Sequence, residues 1–163
     1  MNRVTDIESG APATLPRDPS GQRILSMTPD GQTGGSIATT LRNRLESLAQ
    51  AIRDKDLDRV MSFYAHDVEV FDVRFSLNVP GAAAYRNNFE HWFEAVEGPL
   101  KYEIHGLRVV PGEFSAFCHY LGLVVAAWAD GSRAGYWVRV TCCFERREGE
   151  WLVTHEHVSM PAS

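Results

Sequence analysis

The chain has 163 residues, of which 44% are hydrophobic and 23% are charged, as expected for one globular domain with or without a tail. Its formal net charge is −5, so we expect no nucleic-acid partner bound through a basic surface. No apolar run approaches the roughly 18 residues of a membrane span, so no membrane partner is expected either. Three cysteines, Cys118, Cys142 and Cys143, are too few for a disulfide framework and predict a reduced, cytoplasmic protein.

The first 36 residues differ in composition from the rest of the chain. Residues 1–36 contain no Phe, Trp or Tyr, but they hold 4 of the 8 prolines and 5 of the 13 glycines. A segment with so little to bury does not offset the entropy lost on ordering. We therefore predict a flexible N-terminal extension over 1–36, with a surface-packed arm or a partner-binding tail as alternatives, and a folded domain over 37–163. No apolar core of a signal peptide is present in it.

Three helices are predicted at the start of the folded domain. The first is amphipathic and follows Ser36 as N-cap, with apolar residues spaced three and four apart at Ile37, Leu41, Leu45, Leu48 and Ile52. A short second helix restarts at Asp56 and runs to Tyr64. The third follows Pro80-Gly81, ends at Gly98-Pro99, and has an apolar face made of Tyr85, Phe89, Trp92, Phe93 and Val96.

The remainder of the chain reads as β-strands. Val68–Val73 alternates and is β-branched, which predicts a strand between the second and third helices. Four longer strands follow the third helix, over Leu100–Val110, Phe114–Trp128, Ala134–Arg146 and Trp151–Met160. Tight glycine-containing turns join them, which predicts an antiparallel meander. Helices first and antiparallel strands second indicate an α+β fold, in which long curved strands wrap the helices and leave a cavity between.

The turns predict which side chains share a face of the sheet. With three-residue loops at Asp130-Gly131 and Glu148-Gly149, one face carries His119, Trp137, Arg139, Thr141, His155 and His157. This register sets Thr141 opposite both His119 and His155, and Arg139 opposite His157. A two-residue turn would shift the pairing, because a slip of one residue moves every side chain to the other face.

Two interpretations of this polar face stay open. Three histidines and an arginine need partners or water if they are buried, so they form either the floor of a polar pocket or an exposed outer face. The opposite face is not purely apolar, because Thr154 and Glu156 interrupt Val138, Val140, Cys142 and Phe144. His155 and His157, with His119 as a third ligand, could share a metal, but no carboxylate or cysteine is placed to finish the site. We expect no metal.

Asp72 is the candidate general base. It lies in the apolar strand segment Phe71-Asp72-Val73, where a half-buried carboxylate could take a proton near neutral pH. The alternatives are a solvated aspartate at a strand end, or one paired with Arg74 or Arg139. Composition does not choose between them.

Several segments resemble the SnoaL-like and ketosteroid isomerase group of the nuclear transport factor 2-like superfamily. They are Phe63–Asp72, Pro80-Gly81, the Tyr85–Phe93 helix, and the ending from Trp137 to Val158. The resemblance implies a cone, in which a strongly bent antiparallel sheet wraps three N-terminal helices and encloses an apolar pocket. It also implies a homodimer that forms through the sheets and covers aromatic residues such as Tyr120 or Trp128. It implies no cofactor.

The resemblance places Asp72 at the position of the isomerase's general base. The oxyanion-hole tyrosine of that enzyme falls near Leu48 here, and its protonated aspartate falls near Thr141. Threonine can donate a hydrogen bond and leucine cannot. An oxyanion would therefore depend on other donors, and a cationic arginine would stabilise it electrostatically.

Two functions are therefore expected as alternatives. The first is a cofactor-independent isomerase, cyclase or dehydratase acting on a small apolar carbonyl compound. In it Asp72 abstracts a proton, His119 or His155 returns it, and Arg139 and His157 hold the oxyanion or a carboxylate. The expected ligand-binding residues are Tyr64, Phe89, Trp92, Trp137 and Thr141. The second is a non-catalytic ligand-binding or dimerisation module of the same fold.

Overall fold

The computed structural model describes residues 35–73 and 76–161. The helices are α1 (Gly35–Arg53), α2 (Leu57–Met61) and α3 (Ala82–Ala95). The strands are β1 (Tyr64–Phe71), β2 (Val79–Pro80), β3 (Val96–Val110), β4 (Ser115–Trp128), β5 (Arg133–Arg147) and β6 (Glu150–Ser159). All but the last two residues of the predicted extension lie outside the described residues.

The helices form where the apolar spacing predicts them, with shifted ends. Helix α1 buries Leu41, Leu45 and Leu48, but it includes Gly35 and Ser36, so Ser36 is not its N-cap. Asp56 caps α2 by accepting a hydrogen bond of 3.0 Å from the Arg59 amide. The second helix was predicted to run to Tyr64, but it ends at Met61. Tyr64 is instead the first residue of β1.

The sheet has six strands in the order β2-β1-β6-β5-β4-β3. All neighbouring strands are antiparallel except β1 and β6, which are parallel, so the predicted antiparallel sheet is in fact mixed. The physical reason is connectivity: most of the domain separates β1 from β6, so no hairpin turn sets their relative direction. The α+β class and the order of the predicted elements are confirmed, and the short strand β2 is an element that was not predicted.

Irregularities bend the long strands around the helices. The pairing of β3 with β4 shifts between Glu97 and Lys101 and again between His105 and Arg108. Gly98 and Gly106, with φ of +68° and +63°, lie at these two shifts and adopt a backbone conformation that favours glycine. The segment Gly98-Pro99 was expected to end the third helix, but it lies inside β3, because α3 already ends at Ala95.

The two hairpin turns differ. At Asp130-Gly131 the predicted three-residue loop is confirmed: the Trp128 amide donates to the Ser132 carbonyl at 2.8 Å, and Gly131 has φ of +82°. At Glu148-Gly149 the turn has two residues, both with positive φ, as in a type I′ turn, so the predicted three-residue loop is wrong.

A β-bulge compensates for the shorter turn. The register of β5 and β6 shifts between Cys143 and Phe144, which leaves Thr154 as the extra residue. Turn and bulge together displace the pairing by two residues, so Thr141 lies opposite His157 and not His155. A displacement of two preserves the face of every side chain. The six predicted polar residues therefore do share one face.

The core lies between the helices and one face of the sheet. It contains Leu41 and Leu45 of α1, Phe89 of α3, and Val140 and Phe144 of β5, each at most 7% exposed. None of the helices in the described ranges is long and apolar enough to cross a membrane.

Candidate functional site

The sheet has an inner face toward the helices and an outer face away from them. Along β5 the inner residues Val138, Val140, Cys142 and Phe144 are buried, and they alternate with the outer residues Trp137, Arg139, Thr141 and Cys143. Alternation follows from the two-residue period of a strand. We use "inner face" and "outer face" in this sense for all strands of the meander.

A pocket of about 110 Å³ lies between α1, α3 and the inner face. Helix α1 contributes Leu48 and Ile52, and the strands contribute valines and the rings of Tyr102, Tyr120 and Tyr136. Its polar groups are few. Such a pocket, apolar with a small number of placed polar side chains, is typical of small-molecule sites.

Glu156 is the buried carboxyl group at the pocket, only 4% exposed. The Tyr85 hydroxyl contacts its Oε1 at 2.6 Å, and the Tyr64 hydroxyl and the Cys142 thiol contact its Oε2 at 3.1 and 3.2 Å. These partners come from α3, β1 and β5, so three elements hold one carboxyl group. Buried polar groups require such partners.

Burial is the main electrostatic influence on this cluster. It raises the pKa of Glu156, and hydrogen bonds from Tyr85, Cys142 and Tyr64 act in the opposite direction. The charge of Asp72 also raises the pKa of Glu156. Burial and the neighbouring Glu156 raise the pKa values of Tyr64 and Tyr85, so both hydroxyls keep their protons at neutral pH.

Asp72 lines the same pocket, and its side chain is half-buried. It follows β1 directly and lies two residues after Val70, which pairs with Glu156, so the strand period directs it to the inner face. Its Oδ1 accepts a hydrogen bond of 2.7 Å from the Val73 amide, and its Oδ2 accepts one of 3.1 Å from Asn88. Arg74, one of its predicted partners, lies outside the described residues.

One face of α3 supplies a row of pocket residues. Tyr85, Asn88, Phe89 and Trp92 recur three and four residues apart, so they lie on one side of the helix. Tyr85 contacts Glu156 and Asn88 contacts Asp72, so this face reaches both carboxyl groups. The rings of Tyr85 and Phe89 pack with centroids 4.9 Å apart, which fixes the row against the sheet.

The structure divides the predicted site residues into two groups. Asp72, Tyr64, Phe89 and Trp92 line the pocket. The other six, His119, Arg139, His155, His157, Trp137 and Thr141, lie together on the outer face and do not line it.

The interpretation of the polar face as a pocket floor is therefore corrected. The helices cover the inner face, so the outer residues of the same strands point to the opposite side. There Arg139 donates to the Met160 carbonyl at 2.8 Å, and Nδ1 of His155 contacts the Glu69 carbonyl at 2.8 Å. The ring of Phe71 packs edge-on against His155 and His157. Within residues 35–73 and 76–161, no three His, Cys, Asp or Glu side chains group to hold a metal ion.

Sequence reasoning missed the centre of the pocket. Glu156 was noted only as a polar interruption of an apolar face, and Tyr120 was expected at a dimer surface although it is 5% exposed inside the pocket. The signal was present: Glu156 lies opposite Cys142 and so falls on the same face as Val138 and Val140. A lone acid on a buried face requires partners, and the tyrosines of other elements provide them.

Comparisons with known proteins agree with this fold. The family model described as "SnoaL-like domain" matches residues 41–163. A nuclear transport factor 2-like protein of unknown function from Pseudomonas putida is 29% identical, with a TM-score of 0.72 over 79% of this chain and 89% of that one. No curated protein matches the chain significantly.

More distant structures show the same fold. A candidate dehydratase of the nuclear transport factor 2-like family from Streptomyces avermitilis is 13% identical, with a TM-score of 0.72 over 80% of this chain and all of that one. The association domain of CaMKII from C. elegans is 15% identical, with a TM-score of 0.63 over 80% of this chain and 100% of that one. At these identities the likeness concerns the fold alone.

Proposed function

Because the chain belongs to the SnoaL-like domain family, we propose that its pocket binds a small, mostly apolar carbonyl compound and moves a proton on it with the protein's own carboxyl groups. The reaction would be of the isomerase, cyclase or dehydratase type, since each of these begins by removing a proton next to a carbonyl group.

The observation that supports this proposal is the pair of carboxyl groups in one apolar pocket. Glu156 is buried and its pKa is raised, whereas Asp72 is half-buried and accepts two hydrogen bonds. Two acids in such different surroundings are suited to different tasks. We assign Asp72 as the general base and Glu156, whose pKa burial raises, as a proton donor within the pocket.

Tyr85 is the proposed donor to the oxyanion. When Glu156 is protonated, its proton can be donated to the Tyr85 hydroxyl oxygen, which lies 2.6 Å away. The hydroxyl hydrogen of Tyr85 is then free to point to a ligand oxygen. Asp72 takes the proton from carbon, the charge moves to the carbonyl oxygen, and Tyr85 stabilises it there. Return of the proton from Asp72 to another carbon completes an isomerisation.

Deuterium exchange tests this assignment. We would follow exchange of solvent deuterium into 4-methoxyacetophenone and other single-ring enolisable ketones by NMR. Asp72→Asn should slow the catalysed exchange about 100-fold or more, and Tyr85→Phe about tenfold or more. Asp58→Asn, at an exposed helix position, is the matched control. Equal exchange by wild type and Asp72→Asn would contradict the role of Asp72.

The second candidate function is a non-catalytic module that associates with a second copy. Two observations favour it: an association domain shares the fold, and Phe71 and Phe117 on the outer face are 40% and 43% exposed. A homodimer through the outer face would cover such rings. Light scattering on wild type and on Phe117→Asp tests it; a dimer that becomes a monomer supports the module. The cytoplasmic location stays a prediction.

A further inference from the structure

We propose that the indole N–H of Trp92 binds a second, neutral oxygen of the ligand, away from the carbon that Asp72 deprotonates. This inference rests on the proposed function and narrows its substrate class. The ligand would be a single-ring ketone that carries an ether, carbonyl or ester oxygen on the far side of the ring.

The indole nitrogen of Trp92 is a buried donor. Its Nε1 atom is enclosed, and no hydrogen-bond acceptor lies within reach of it in the part of the chain that the structure describes. A buried N–H group without an acceptor is costly and uncommon in a native protein. Trp92 also lines the pocket, and a ligand oxygen there would supply the missing acceptor.

The other polar groups on the same helix face already have partners. Tyr85 contacts Glu156 and Asn88 contacts Asp72, and Trp92 is the next residue in this row. With a helical rise of about 1.5 Å per residue, Trp92 lies about 6 Å along the axis from Asn88. Tyr85 and Asn88 of α3 therefore contact the two carboxyl groups, and Trp92, one turn further on, offers a donor to the opposite end of a ligand.

The pocket favours a neutral oxygen over an anionic one. No lysine or arginine lines it within the described ranges, and both Asp72 and Glu156 do. A carboxylate or phosphate there would be repelled by Asp72 and would lack a cation to pair with. His91 also lines the pocket, but its side chain is exposed and its Nδ1 is engaged by the Asn87 carbonyl at 2.6 Å.

The size and walls of the pocket favour one ring. Its enclosed volume of about 110 Å³ is below the roughly 150 Å³ of an apolar protein cavity that holds benzene, so it excludes fused rings, and a single substituted ring must extend beyond the enclosed part. Phe89 packs beside Trp92 with ring centroids 6.0 Å apart, and both side chains line the pocket. An aromatic ring in this space would contact these side chains, and its substituent would reach the indole N–H.

The test compares two ketones of nearly equal size. 4-Methoxyacetophenone has an ether oxygen opposite its ketone, and 4-ethylacetophenone has a methylene group in its place. We expect the wild type to bind the methoxy compound about fivefold more tightly, as one hydrogen bond allows. Trp92→Phe should bring this ratio to about one. Trp137→Phe, which alters a tryptophan of the outer face, should leave it unchanged.

The indole proton itself gives a second measurement. The chain has four tryptophans, so four indole N–H signals are expected by NMR, and Trp92→Phe identifies one of them by its loss. In the wild type this signal should move to higher frequency with 4-methoxyacetophenone and much less with 4-ethylacetophenone. If Trp92→Phe does not fold, sequential assignment of the wild type identifies the signal and this measurement decides alone.

Three results would overturn the proposal. They are an unchanged affinity ratio in a folded Trp92→Phe, a Trp92 signal that does not respond to the bound methoxy compound, and binding of neither ketone at millimolar concentration. Failure of the proton chemistry looks different: the affinity ratio persists in the wild type and in Asp72→Asn, but no ketone exchanges its protons. The two failures are therefore distinguishable.

Discussion

The inner and outer faces of the sheet are built from the same strands, but their polar residues differ in burial and in hydrogen-bond partners. On the inner face Glu156 has three protein partners and almost no exposure. Immediately beside it on the outer face, His157 is exposed, and its ring forms a T-shaped contact with that of Phe71. The difference shows that the number of polar residues on a strand face does not identify a pocket, whereas the satisfaction of a single buried one does.

Loss of the Glu156 carboxyl group should have the largest effect on stability. Glu156→Ala leaves the hydroxyls of Tyr64 and Tyr85 without their acceptor and opens a cavity. We expect a loss of about 3–5 kcal/mol in the free energy of unfolding, measured by urea denaturation. The control, Glu150→Ala on an exposed side chain at the start of β6, should change it by less than about 0.5 kcal/mol. Similar losses of stability in the two variants would show that the buried Glu156 contributes no more to folding than an exposed glutamate does.

Crowding of the inner face by one methyl group should have the next largest effect. A Cβ on Gly122 would lie 2.9 Å from Cγ2 of Val138 and 3.3 Å from the Tyr102 hydroxyl, so both of these pocket residues must shift. We expect Gly122→Ala to cost about 1–3 kcal/mol and to weaken binding of the ketone probes. Gly35→Ala is the matched control, because a Cβ there meets nothing within 4 Å. A variant as stable as wild type would show that the inner wall yields easily.

The pH dependence of stability should carry the signature of Glu156. Its pKa is raised in the folded state by burial, so the folded protein holds this proton more tightly than the unfolded chain does. The stabilisation is full below the ordinary carboxyl pKa of 4.5 and is lost as the pH rises through the raised value. Relative to Glu156→Gln, the wild type should therefore lose stability from acidic to neutral pH in urea titrations. An identical pH profile for both proteins would refute this.

Substitutions on the outer face should have the smallest effects. His119→Ala and His157→Ala remove exposed side chains, so each should change the free energy of unfolding by less than about 0.5 kcal/mol. Neither should alter ketone exchange, because these residues do not line the pocket. A strong loss of deuterium exchange in either variant would show that residues of the outer face take part in the reaction. A change of oligomeric state alone would instead support association through this face.

Much of the fold could be predicted because its signals are local. The three-and-four spacing in α1 and the glycine turn at Asp130-Gly131 each depend on nearby residues, and both are confirmed. The site could be predicted only in part. Asp72 was identified from its apolar surroundings and Trp92 from its helix face, and both line the pocket. Their proposed roles remain predictions.

What the sequence alone determined is which residues of each strand share a face, because a strand has a period of two. It even placed the six polar residues together correctly, since the short turn and the bulge at Cys143 cancel in their effect on the faces. Only the tertiary structure decided which face meets the helices. That choice depends on contacts between distant elements, such as Tyr85 of α3 with Glu156 of β6, and no local pattern encodes them.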